Sequence, residues 1–156
     1  MAALALGAAL TGCLGPASTP RSKLDDAVQE TNVAIRFGRN DIALEHVALA
    51  DRDAFVKRHR LWGNEIRIVD LEFAGVDKIE QKTATLFVMF TWYRPTEGTM
   101  RATKVKQTWK TAGGPWYLAD EERAEGDVGL LGEPPVVVLK PAAPKAQFET
   151  TVIKGD

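Results

Sequence analysis

Four polar side chains in this 156-residue chain stand where acid–base chemistry could be done. His59 falls on the apolar stripe of a helical segment with Phe55, Val56 and Trp62. Asp70 sits where an alternating strand pattern slips by one residue, so parity does not fix its side-chain direction. Gln107 is the one polar residue on a strand face otherwise made of Val105 and Trp109, and Tyr93 lies at a strand end. A desolvated carboxylate or histidine beside a hydrogen-bond donor is the minimum for general acid–base catalysis, because burial and neighbouring groups are what tune its pKa. Each residue also has a structural reading, and the spacing favours that one. Asp70 reads as an outward strand residue, His59 as a packed histidine with one nitrogen bonded to backbone or water, Gln107 as a partner for nearby backbone, and Tyr93 as an edge aromatic. His46 and His59 differ in helix phase and give no metal-ligand spacing. There is no glycine-rich phosphate loop and no nucleophile elbow. The single cysteine, Cys13, excludes an internal disulfide and a multi-cysteine zinc site. No catalytic residue, metal or cofactor is assigned.

The elements that must position these residues follow from periodicity. Leu24, Ala27, Val28, Thr31 and Ile35 recur at three- and four-residue steps and predict an amphipathic helix over 23–38, with Ser22 as N-cap and Gly38 as C-cap. A short helix is expected over Ile42–Leu49, and a third, capped by Asp51, carries Phe55, Val56, His59 and Trp62 on one face. From Glu65 the period changes to two. A first strand slips parity at Val69, which predicts a β-bulge, and Gly75 to Lys78 read as a turn. The strand over Ile79–Arg94 presents Ala84, Leu86, Val88, Phe90 and Trp92 on one face and Thr83, Thr85, Phe87, Met89, Thr91 and Tyr93 on the other. A third strand spans Thr99–Thr111, Gly113-Gly114 signals a hairpin, and Pro115–Ala119 form a short last strand. The fold class is therefore α+β, with N-terminal helices packed on a curved antiparallel sheet of about four strands.

The N-terminus carries a different kind of signal. An apolar run, Ala2 to Leu10, ends in Leu10-Thr11-Gly12-Cys13, followed by Gly, Pro, Ser and Thr. The tetrapeptide resembles the lipobox of bacterial lipoproteins, although no Lys or Arg precedes Arg21. The resemblance implies a lipid on Cys13, a membrane attachment in the bacterial cell envelope, and, because Leu14 is not Asp, the outer membrane rather than the inner. Residues 1–22 then form signal and tether. No later apolar run is long enough to span a bilayer, and a net charge of −1 provides no bulk field favouring nucleic acid.

The helix order, the Gly38-Arg39-Asn40-Asp41 break, and Gln107-Thr108-Trp109-Lys110 with Gly113-Gly114-Pro115-Trp116-Tyr117-Leu118 resemble the NTF2-like superfamily over roughly Lys23–Asp120, giving a domain at 23–125. That resemblance implies a conical cavity between helices and sheet and frequent dimerisation through the outer sheet face. His59, Asp70, Tyr93 and Gln107 would be the polar groups of the cavity. Phe87 and Met89 would be the apolar contacts of a homodimer or of an envelope partner. The neighbouring basic residues, Arg101, Lys104, Lys106 and Lys110, are expected to pair across strands with the acidic run Asp120-Glu121-Glu122. Residues 126–156 read as a Pro/Gly-rich tail in which Val136–Leu139 lies along the chain's own sheet or a partner's. The expected function is non-enzymatic binding, with a small-molecule carrier or an isomerase- or dehydratase-like enzyme as the alternative.

Overall fold

The computed structural model describes residues 19–134; Cys13, Val136–Leu139 and Phe148–Ile153 lie outside them. Helix α1 spans Pro20–Arg36. It begins three residues earlier than periodicity suggested, because Thr19 is the N-cap: its Oγ1 accepts from the Ser22 N–H at 3.1 Å, and Pro20 suits the first turn, where no N–H is needed. Its buried stripe is Leu24, Ala27, Val28, Thr31, Ala34 and Ile35. The helix closes as a Schellman motif: Gly38 (φ 70°) donates to Ile35 and Arg39 to Ala34. Helix α2 is a single turn, Asn40–Ala43, continued by 3₁₀ turns at Leu44–His46 and Leu49–Asp51. Helix α3 spans Arg52–His59; Asp51 precedes it without a side-chain cap, and Val56 faces outward, unlike Phe55 and His59.

The four strands form one antiparallel sheet in the order β1 (Arg67–Ile79), β2 (Thr83–Tyr93), β3 (Met100–Thr111), β4 (Trp116–Gly126). The architecture is the expected α+β one, helices followed by a curved four-stranded antiparallel sheet. The bulge expected at Val69 is present, since the register steps from Ile68–Trp92 to Asp70–Thr91. Two further steps, past Ala74 and Asp77, carry β1 through the glycine that had read as a turn. Gly75 (φ 123°) serves inside a bent strand, and the turn falls at 80–82. Strand β4 likewise runs on past Ala119 to Gly126.

The inner face buries Ala84, Leu86, Val88, Phe90 and Trp92 from β2 and Thr103, Val105, Gln107 and Trp109 from β3. Each large apolar side chain removed from water stabilises by roughly 1.5–3 kcal/mol. Burying tryptophan also obliges the indole N–H to find an acceptor, and all four do. Trp62 donates to the Leu130 carbonyl (2.6 Å), Trp92 to Thr103 Oγ1 (2.9 Å), Trp109 to Gln107 Oε1 (3.3 Å) and Trp116 to the Pro20 carbonyl (3.0 Å). Two of these bonds reach past residues 23–125: Trp116 holds Pro20 at the start of α1, and Trp62 holds Leu130, which with Leu131 is buried in the core.

Gly126 ends β4 where no side chain fits. Its φ is 91°, and a Cβ there would overlap the Ala102 carbonyl, with Thr103 Cα at 3.0 Å. Gly126→Ala should therefore destabilise the domain by about 2–4 kcal/mol in urea unfolding, because neither backbone group can give way. Gly113→Ala, also at positive φ but in open space, should cost only about 1–2 kcal/mol.

Candidate functional site

Of the four residues singled out for chemistry, the structure brings two together. His59, at the end of α3, is buried, and its Nε2 lies 2.9 Å from Oε2 of Glu121, also buried, on β4. Gln107 Nε2 donates to Glu121 Oε1 and to Asn32 Oδ1 of α1, each at 3.1 Å. One polar chain thus crosses the core from α1 through β3 and β4 to α3. The His59 ring sits between Phe55 and Trp62, with centroids 4.0 and 3.9 Å away. Neither of its nitrogens has an aligned hydrogen bond, and Glu121 Oε2 has none either. The His59–Glu121 contact is therefore close without being an aligned hydrogen bond.

Glu121 is the residue that sequence reasoning missed. Its place in the run Asp120-Glu121-Glu122 suggests a solvent-facing partner for basic residues. Asp120 does pair outside, with Arg58 (3.1 Å), and Glu122 with Lys106 (2.8 Å). Glu121 turns inward because the register past Trp109–Leu118 skips Ala119, so that Glu121 pairs with Gln107. A one-residue slip moves side chains to the opposite face. Burial pushes the Glu121 carboxyl up, but the charge and proximity of His59, then the charge of Arg58 and the Gln107 N–H, hold it below the usual carboxylate range.

Asp70 and Tyr93 stand apart from this chain of groups. Asp70 follows the bulge on β1, two strands away from Gln107, and pairs with Arg36 at 3.1 Å, both half-exposed; such a pair contributes less than about 1 kcal/mol. Tyr93, half-buried, ends β2 opposite Arg67 and Met100. The expected four-residue set therefore does not form one site. His59 at 2% exposure and Glu121 at 4% are closed to a substrate. Their arrangement has the ingredients of an acid–base pair, yet it fastens three layers of structure. Among the described residues no group of three His, Cys, Asp or Glu side chains could hold a metal ion.

One accessible feature is mainly apolar. Beyond Leu71, β1 keeps core parity: Phe73 pairs with Val88, Val76 with Leu86 and Ile79 with Ala84. Yet among the described residues no helix covers this corner fully, and Phe73 is 63% exposed, with Val76 and Ile79 also exposed. Between β1 and α1 lies a groove of about 350 Å³ whose apolar lining is Val28, Val33, Leu71, Phe73 and Val88. Asn32, the outermost member of the buried polar chain, also lines it. On the opposite sheet face Phe87 and Met89 are half-buried, paired with Lys106 and Lys104, and the Lys104 ammonium lies 5.9 Å from the Phe87 ring centroid.

No family model matches the chain, and no curated protein matches it. Among solved structures, the solution structure of a SEC-C motif containing protein from Rhodopseudomonas palustris is similar, with a TM-score of 0.53 at 19% identity over 68% of this chain and 79% of that one. At that identity the likeness concerns the fold alone.

Glu121→Ala should cost about 3–5 kcal/mol, since it leaves His59 and Gln107 buried without their partner. Because the folded carboxyl titrates below its unfolded value, its stabilisation is complete above about pH 4.3 and drains as pH falls through the lower folded value. Urea midpoints of the wild type should decline in that acid window. Those of Glu121→Gln should start lower and decline less; an unchanged acid limb would mean that Glu121 is not the group responsible.

Proposed function

We propose that this chain is a non-enzymatic binding module of the bacterial cell envelope, held at the membrane by a lipid on Cys13. The outer membrane is the favoured location, and partners bind at the uncovered corner of the inner sheet face. The observation that carries the binding reading is the set Phe73, Val76 and Ile79. They have core parity on β1, lie exposed, and adjoin an apolar groove against α1. Exposed apolar groups that cluster beside a groove mark interaction surfaces more often than isolated ones do. Of the polar groups considered for chemistry, His59, Gln107 and Glu121 are buried in the core. Helices filling one face of a curved four-stranded sheet are also what the NTF2-like resemblance implies. The membrane attachment rests on Leu10-Thr11-Gly12-Cys13, which lies outside the described residues. Phe87 and Met89, on the outer face, are the proposed contacts of a homodimer.

Three measurements test this reading. Expressed in a bacterial host from its native upstream sequence, the protein should fractionate with membranes, begin at Cys13 and carry added acyl mass. A chain retaining residues 1–12 with an unmodified thiol would remove the envelope assignment. A photo-crosslinking amino acid placed at Phe73 should yield a discrete adduct in those cells that disappears with Val33→Asp; a smear insensitive to that change would count against the groove. In sedimentation velocity, Phe87→Ser combined with Met89→Ser should abolish self-association while leaving the urea midpoint nearly unchanged, as surface substitutions usually do.

A further inference from the structure

The buried polar chain sets the hydrogen-bonding sense of the α1–β1 groove beside it. An indole N–H can only donate, so Trp109, at 3.3 Å, requires Oε1 of Gln107 to face it. The Gln107 Nε2 group then points the other way and gives one N–H to Glu121 Oε1 and one to Asn32 Oδ1. Asn32 therefore presents its oxygen to the core, and its Nδ2 group is left for the groove that it lines. Neither amide can flip without setting oxygen against oxygen or N–H against N–H. At Asn32 the groove offers a donor and not an acceptor.

Arg36 adds a second donor. It stands one turn beyond Asn32 on α1 and lines the same groove. Its Nη1 meets Asp70 at 3.1 Å, but both side chains are half-exposed, and a guanidinium keeps further N–H groups for a second anion. Glu72 is the acidic residue of the lining; it pairs with Met89 and so has the parity of the opposite sheet face. Leu71, Phe73 and Val88 make the sheet side of the groove apolar. Its volume of about 350 Å³ lies within the range of small-ligand sites.

Resting on the reading of this groove as a binding site, we infer that its ligand is a free medium-chain carboxylic acid, bound as the carboxylate. The carboxylate accepts from Asn32 Nδ2 and from the Arg36 guanidinium, and the alkyl chain lies over Leu71, Phe73 and Val88. An alkylammonium of the same length has the wrong sense, because it too can only donate. The C-terminus of a partner chain carries the same carboxylate. Its last peptide N–H, however, needs an acceptor, and neither Asn32 Nδ2 nor Arg36 provides one.

Titration of the isotope-labelled full chain carrying Cys13→Ser with sodium octanoate, followed by NMR, tests this. The Asn32 side-chain amide and the Phe73 backbone amide should shift together and saturably. Octylammonium should bind at least about tenfold more weakly. Asn32→Asp keeps an oxygen for Gln107 and replaces the groove donor by a charged acceptor. It should weaken octanoate at least about tenfold and strengthen octylammonium, with the Val105 resonance unmoved as the sign of an intact core. Arg36→Gln, at a half-exposed position, should weaken octanoate and leave octanol, which is uncharged, unaffected.

The inference is overturned if octanoate moves neither signal, if both amphiphiles bind alike, or if Asn32→Asp leaves octanoate binding intact. An equal loss of octanoate and octanol in Arg36→Gln also overturns it, and N-acetylleucine binding more tightly than octanoate replaces the free acid by a chain terminus. The two readings fail separately. No octanoate binding with the Phe73 crosslink intact removes the acid and leaves the partner site. Octanoate binding without any crosslink removes the partner and leaves the acid.

Discussion

A carboxylate held in a dry interior is the constraint around which the described domain is arranged. Glu121 can stay there only if charge and N–H groups converge on it, because desolvating an ion is costly and leaving it unanswered is worse. The answers come from separate parts of the chain: His59 from α3, Gln107 from β3, and Asn32 of α1 one step further on. Moving any of these elements by a residue would leave a buried polar group alone. The apolar core alone tolerates many arrangements of similar volume. This polar chain selects among them, since it ties β4 to β3 at one register and joins α1 and α3 to the sheet.

Much of this organisation was legible in the sequence where periodicity was unbroken. The inner faces of β2 and β3 and the buried stripe of α1 follow directly from steps of two and of three or four, and the slip at Val69 was visible as a change of parity. The misses share a cause. Gly75 within β1 and Ala119 within β4 both looked like ends, because a bulge interrupts alternation just as a turn does. Glu121 was hidden by company: three acidic residues in a row read as a solvated edge. Only a strand carried past Ala119 with a one-residue slip places the middle one opposite Gln107. The signal was Gln107 itself, a polar residue on an apolar strand face that needed a buried partner.

The same geometry separates reactivity from accessibility. The His59–Glu121 pair is enclosed, whereas the α1–β1 groove is open and lined largely by Val, Leu and Phe side chains. Asn32 touches both, bonded to Gln107 on one side and lining the groove on the other. The groove and the polar chain therefore share a residue.

The three interruptions of β1 have a consequence for crowding. A sheet edge with regular, unpaired N–H and C=O groups is a template on which further strands can zip, and the danger grows with local concentration. Here the exposed edge offers no uninterrupted run longer than a few residues. Neighbouring molecules can therefore come close at high concentration, apolar corner and all, without zipping together along their β1 edges.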